Sequence, residues 1–197
     1  VASVPLSEII GTSLVRGSLI RDREARLDRA RLVEFLQEEF VLVGLEAKDK
    51  WEAIEKLVDF YALTHRTSLR ERNLIFDTIK KREEEQSTAL GREAALPHGW
   101  VDHGPAIQGV LAVAPDGIEW DAPDGHPVKL IVLIVTPEDQ EDRHLEVLAA
   151  LSAMVTNDRL RTRLITGTDA NDAWEALESK ESRDINYFLE EPEENPE

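Results

Sequence analysis

The chain has no cysteine among its 197 residues, which excludes disulfide frameworks, thiol nucleophiles and cysteine-based zinc sites together. No apolar run approaches the length of a membrane span, and no signal peptide is visible. Basic charge is scarce. Only 23 Lys and Arg stand against 40 Asp and Glu, a formal net charge of −17, which argues against nucleic acid as a general partner. Such acidity fits either a salt-rich or solubility-driven background or a specific basic partner. Familiar motifs are missing too: there is no GxxxxGK[ST] loop, no GxGxxG after a strand, no HExxH and no GxSxG. Five histidines remain as the main candidates for chemistry.

The length suits one domain of ordinary size with flanking segments. Residues 1–31 carry six Arg against four acids, whereas residues 178–197 carry eight acids against two bases. The latter segment, ending in Glu190-Glu191-Pro192-Glu193-Glu194-Asn195-Pro196-Glu197, reads as a solvated, disordered acidic tail. The former reads as an Arg-rich extension or linker. The stretch Arg21 to Glu39 has loosely periodic Leu27, Ala30, Leu32 and Phe35. That fits a helix that packs on the domain or mediates association, or a linker from an upstream domain. Basic residues beside a membrane span are common, so a membrane-anchored parent protein is one reading. The chain begins at Val1 rather than Met, which fits a processed product or a piece of a longer polypeptide.

Residues 32–177 read as one α/β domain. Asp49 with Glu52 forms a capping box, after which Trp51, Ile54, Leu57, Val58 and Tyr61 fall on one helical face. Ser68 with Glu71 repeats the signal before Leu69, Ile75, Phe76 and Ile79. An apolar strand spans Ile107 to Ala114, bounded by Gly104-Pro105 and Pro115-Asp116-Gly117. The nearly continuous apolar run from Val128 to Val135 suits a strand covered on both faces, and Pro137 ends it. A helix follows with Leu145, Leu148, Ala149, Ser152 and Val155 expected inward, and Asn157 and Asp169 are candidate caps for two more. Helices on both faces of a buried sheet are the expected architecture.

His98 stands out among the histidines. In Leu96-Pro97-His98-Gly99, Pro97 disfavours the helical conformation at Leu96 and holds the approach extended. Gly99 is expected to leave room beside an accessible ring. Neutral imidazole is a competent nucleophile toward phosphorus and gives a labile phosphoramidate. Phosphoryl transfer asks for in-line positioning and donors to the equatorial oxygens. Arg82 is a planar, permanently charged donor of that kind. It stands, however, in the charged string Lys80-Lys81-Arg82-Glu83-Glu84-Glu85, for which a solvated helix end is the ordinary explanation. His144 falls near a helix start, where backbone amides favour an anion. The spacings of His98, Asp102, His103, His126 and His144 match no standard metal-ligand arrangement. His65 and His126 read as surface residues.

Arg82-Glu83, Ser87-Thr88, Gly91 and Ala95-Leu96-Pro97-His98-Gly99 resemble the signature around the phosphorylated histidine of enzyme IIA in the phosphoenolpyruvate-dependent phosphotransferase system. The similar branch is the type-2, mannitol, fructose and nitrogen-regulatory class. A second block is similar as well: Val128 to Pro137, then His144-Leu145 and Leu148 to Met154, with Asp121, Asp124 and Pro127-Val128 resembling the turn between strands. The chain departs from the family pattern at Gln86, Ala89 and Glu93, where glycine is common, and Glu93 brings a negative charge.

The resemblance implies that His98 accepts a phosphoryl group, that Arg82 and His144 stabilise it, and that Thr88 helps to shape the site. It also implies the family fold, a central mixed sheet flanked by helices, and phosphotransferase chemistry without metal or organic cofactor. The donor would be HPr or its nitrogen-branch counterpart. The setting would be cytoplasmic, either free or as the cytoplasmic domain of a membrane transporter. Three readings stay open: a regulatory IIA domain attached to or acting on a transporter, a sugar-specific component passing phosphate to a IIB domain, and a IIA-like binding module that accepts no phosphate.

Overall fold

Ten residues, Val128–Pro137, form the central strand, and all but Lys129 are buried. A run of β-branched and aliphatic side chains with no polar face can only be accommodated between two covered surfaces. The computed structural model describes residues 36–104 and 106–179. The Arg-rich extension of residues 1–31, all but the last four residues of the Arg21 to Glu39 stretch, and the acidic tail beyond Glu178 and Ser179 lie outside them.

The strands are β1 (Val41–Val43), β2 (Ala89–Gly91), β3 (Ala94–Ala95), β4 (His98–Val101), β5 (Gln108–Ile118) and β6 (Val128–Pro137). Their order is β1-β5-β6-β3-β2, with β4 continuing along the same edge of β6 as β3. The pairings of β6 with β5 and of β2 with β3 are antiparallel, while β1 with β5 and β3 and β4 with β6 are parallel. The sheet is therefore mixed, as the resemblance implies.

Side chains of β6 alternate between two apolar layers. Leu130, Val132 and Ile134 pack with Val147, Leu151 and Met154 of α3 (Glu141–Thr156), with Leu160 and Leu164 of α4 (Asp158–Thr166), and with Ala173 and Leu177 of α5 (Ala170–Glu178). Ile131, Leu133 and Val135 pack with Ile54, Leu57 and Val58 of α1 (Lys50–Thr64) and with Ile75 and Ile79 of α2 (Leu69–Glu85). Helices thus cover both faces, as the hydrophobic pattern predicts.

The expected caps form. Asp49 accepts from the Glu52 amide at 2.9 Å, Asn157 from Leu160 at 3.2 Å and Asp169 from Asp172 at 2.9 Å. Ser68 and Glu71 close the full reciprocal box, whereas the Glu52 carboxylate accepts from the Lys48 amide instead of that of Asp49.

Three expectations are corrected. β5 does not stop before Pro115 but runs on to Ile118, because the ladder to β6 shifts register between Val113 and Ile118 and asks no amide hydrogen of Pro115. The inward face of α3 is offset: Val155 is buried and Leu148 packs on the core as expected, but His144, Val147, Ala150, Leu151 and Met154 make up the rest of the buried face, while Leu145 is 63% exposed. Leu69, expected with the inward residues of α2, is also exposed, because it occupies the first turn beyond the edge of the packed stripe.

Candidate functional site

His98 opens β4, opposite Ile134 of β6. The two residues that separate β3 from β4 remain tied to their neighbours: the Leu96 amide donates to the Thr88 carbonyl at 3.1 Å, and the Pro97 carbonyl accepts from Ile134 at 3.0 Å. The extended approach expected from Pro97 is therefore present. Nδ1 of His98 lies 2.8 Å from the Leu96 carbonyl oxygen, which can only accept, so Nδ1 carries the proton. Nε2 is left with its lone pair and accepts from Arg82 Nε at 3.1 Å. One tautomer is selected, with its free nitrogen aimed at a guanidinium. His98 as a residue is only 9% exposed, a tighter setting than the open imidazole anticipated from the glycine beside it. Burial lowers the proton affinity of His98, the Leu96 carbonyl opposes that, Arg82 lowers it further and Glu83 raises it; the net direction is down.

Gly99 has a different part from the one anticipated. A Cβ built there would stand 2.6 Å from both Ile79 Cγ1 and Thr78 Oγ1, so the missing side chain admits α2, not space beside the imidazole. Close seating of α2 on β4 brings its last turn to the ring. Arg82 there donates to His98 and also, through Nη1, to the Gln86 carbonyl at 3.0 Å.

The second imidazole arrives from the other side of the sheet's end. Pro137 ends β6, a turn of 3-10 helix spans Glu138–Gln140, and His144 follows in the first turns of α3. Its ring centroid is 5.1 Å from that of His98 and 4.6 Å from that of Trp100. Nδ1 of His144 lies 2.9 Å from the Thr136 hydroxyl, which is completely buried. Burial, His98 and Arg82 together push the His144 pKa down to about 4, so the ring is neutral at physiological pH.

Thr88 is buried. Its amide and hydroxyl both donate to the Glu83 carboxylate, at 2.9 and 2.5 Å. Glu83 also receives Lys50 Nζ at 3.2 Å, and Lys50 reaches Asp121 at 2.8 Å.

Of the four residues singled out from sequence, Arg82, His98 and His144 therefore converge near one end of β6, and Thr88 is joined to them through the Leu96 amide and Glu83. Glu83 and Thr136 were missed. Glu83 follows Ile75 and Ile79 at intervals of four on the buried stripe of α2, a legible sign that one acid of the charged string points inward. Thr136 is the one hydroxyl ending an apolar strand. Glu93 does not approach the site. Its carbonyl accepts from Lys129 and Leu130, and its carboxylate pairs with Lys129 at 2.7 Å, about 16 Å along β6 from the level of His98. It adopts φ +62°, in the left-handed region that favours glycine. His126 and His103 are exposed. His65, expected at the surface, is instead stacked between Phe40 and Tyr61, each 4.3 Å from it between centroids.

Residues 34–180 match the family described as the phosphoenolpyruvate-dependent sugar phosphotransferase system, EIIA 2. The chain is 31% identical over 126 residues to the fructose-specific EIIA component of Haloferax volcanii, covering 63% of this chain and 80% of that protein. It is 28% identical over 137 residues to the fructose-specific EIIABC component of Bacillus subtilis, covering 68% of this chain but only 21% of that protein. Among solved structures, the nitrogen regulatory protein IIA-Ntr of Neisseria meningitidis superposes with a TM-score of 0.66 at 28% identity, covering 73% of this chain and 97% of the other.

Proposed function

The chain belongs to the type-2 EIIA family of the phosphoenolpyruvate-dependent sugar phosphotransferase system, and on that premise we propose that Nε2 of His98 accepts a phosphoryl group from an HPr-like phosphocarrier or its nitrogen-branch counterpart. The observation that carries this reading is the hydrogen bond from His98 Nδ1 to the Leu96 carbonyl, which leaves Nε2 as the nucleophile in a neutral, oriented ring.

The transfer balances simply. The Nε2 lone pair forms a bond to phosphorus while the donor's P–N bond breaks and its electron pair returns to the donor imidazole. Arg82 Nε releases Nε2 and turns its donors to the phosphoryl oxygens, a charge-assisted contact. His144 supplies a second donor: with Thr136 donating to its Nδ1, its proton sits on Nε2 and is available to an equatorial oxygen. Thr88 holds the Leu96 segment through its own carbonyl. Metal chemistry has no part in this scheme.

The phosphorylated domain acts as a regulatory or carrier unit on the cytoplasmic side, read by a partner or a transporter. The nitrogen regulatory likeness supports this, since the match accounts for nearly all of that protein. Transfer onward to a IIB domain is the second reading, favoured by the likeness to an EIIABC component. Among the described residues, no helix is long and apolar enough to cross a membrane.

Incubation with labelled phosphoenolpyruvate, enzyme I and HPr, or their nitrogen-branch counterparts, is expected to place acid-labile phosphate on the wild-type chain and none on His98→Ala. Adding purified IIB domains then separates the two onward routes by whether label leaves the protein. A wild-type chain that stays unlabelled with either donor set would reduce it to a binding module.

A further inference from the structure

We infer that Glu83 is a positioning and charge-compensating residue for the His98 ring, acting on Nδ1 while its neighbour Arg82 acts on Nε2. This inference rests on the phosphoryl-acceptor reading above and extends it to a residue outside the imidazole pair and its arginine.

The side chain of Glu83 is fully buried on the apolar stripe of α2. A carboxylate in that position is costly unless paired and hydrogen-bonded. It receives three donors: the Thr88 amide, the Thr88 hydroxyl and Lys50 Nζ. From Thr88 the connection continues inward. The Thr88 carbonyl accepts from the Leu96 amide at 3.1 Å, and the Leu96 carbonyl accepts from His98 Nδ1 at 2.8 Å. Consecutive residues of one helix thus reach both nitrogens of one ring, Arg82 directly and Glu83 through the Thr88 and Leu96 backbone.

The chemistry asks for such a residue. When Nε2 bonds to phosphorus and Nδ1 keeps its proton, the ring takes up a formal positive charge in a nearly dry pocket. The charged and titratable groups that face it are Arg82 and Glu83 from α2 and His144 from α3; β6 contributes Ile134, which is apolar. Arg82 opposes a cationic ring and Glu83 favours it. Lys50 does not cancel that effect, because it is shared with Asp121, leaving the trio one negative charge in excess. A proton and a phosphoryl group place the same positive charge on the ring, so protonation of His98 reports the interaction without any transfer.

The test is Glu83→Gln in the full chain, which keeps size and an acceptor for Thr88 but removes the charge. NMR titration of labelled histidine is expected to show the His98 pKa falling below its wild-type value. Phosphoryl transfer from HPr is expected to slow about tenfold, the scale of a lost charged hydrogen bond, with Glu83→Asp recovering part of it. Should circular dichroism show Glu83→Gln unfolded, Lys50→Met gives the same readout with opposite sign, raising the His98 pKa. A folded Glu83→Gln with His98 titrating as in wild type overturns the inference, even if transfer is slower, since that would leave Glu83 as structural support alone. Failure of the wild type to accept phosphate would sink the acceptor reading, while the titration would still decide whether Glu83 acts on the ring.

Discussion

The surroundings of His98 and of His144 differ in the kind of atom that holds Nδ1. His98 faces a backbone carbonyl, which can only accept, so the main chain holds the proton on Nδ1. His144 faces the Thr136 hydroxyl, which can donate or accept, so its tautomer can change when its surroundings do. A nucleophile needs one nitrogen that is reliably unprotonated. A group that must donate to an arriving phosphoryl oxygen, and release it again, tolerates a softer partner. The two imidazoles, 5.1 Å apart between centroids, are thereby equipped for unequal tasks.

Removing the donor is the strongest way to break that asymmetry. His144→Ala is expected to slow phosphoryl transfer by roughly a hundredfold, the scale of losing one preorganised donor to a developing anion, while leaving His98 able to accept. His144→Gln keeps an amide donor and should recover part of the loss. Rapid-quench measurement of transfer from HPr checks both. If His144→Ala abolished labelling as completely as His98→Ala does, the division into nucleophile and donor would be wrong.

Acidification probes the same pair with a smaller effect. An unfolded histidine takes up a proton near its ordinary value of about 6.5, whereas folded His144 resists until about 4 and His98 is also held below its usual value. The unfolded chain therefore binds more protons across that interval. Stability is whole above about pH 6.5 and declines as pH falls toward 4, the His144 contribution being lost by about 4. Denaturant titrations over this range should show a shallower decline in His144→Gln than in wild type. Transfer should persist somewhat below the usual histidine pKa, because Nε2 of His98 stays unprotonated there.

Much of this arrangement is legible in the sequence where the determining interaction is local. Asp49, Ser68, Asn157 and Asp169 cap their helices through bonds to residues three positions on, and a local pattern suffices to see them. The run Val128 to Val135 reads as a doubly covered strand because nothing in it is polar except Lys129. Arg82, Thr88, His98 and His144 are legible through two motifs at a known separation. What fails is what depends on packing between elements. The inward face of α3 is offset because a polar residue, His144, claims a place on it and Leu145 is displaced outward, while Val155 stays inward as expected. Gly99 reads as space for the imidazole until α2 is seen lying against it. Glu83 is concealed in a string of charges whose other acids, Glu84 and Glu85, do face water.

Thr136 offers the finest test of the contrast. Replacing it with Val preserves shape in a completely buried position but leaves Nδ1 of His144 without the hydroxyl, at a cost to stability of about 1 kcal/mol. Nothing then holds the proton on the far nitrogen, so the donor faces the phosphoryl group for only part of the time. Transfer should slow a few-fold, less than in His144→Ala, and Thr136→Ser should restore it because the hydroxyl, not the methyl group, carries the effect. Nitrogen-15 shifts of His144 give the tautomer directly: one predominant form in wild type and Thr136→Ser, a mixture in Thr136→Val. Those of His98 should be the same in all three, because its proton is held by the main chain. A shift of the His98 tautomer in Thr136→Val would mean that the rings exchange control of their protons, and the distinction between a fixed nucleophile and an adjustable donor would no longer hold.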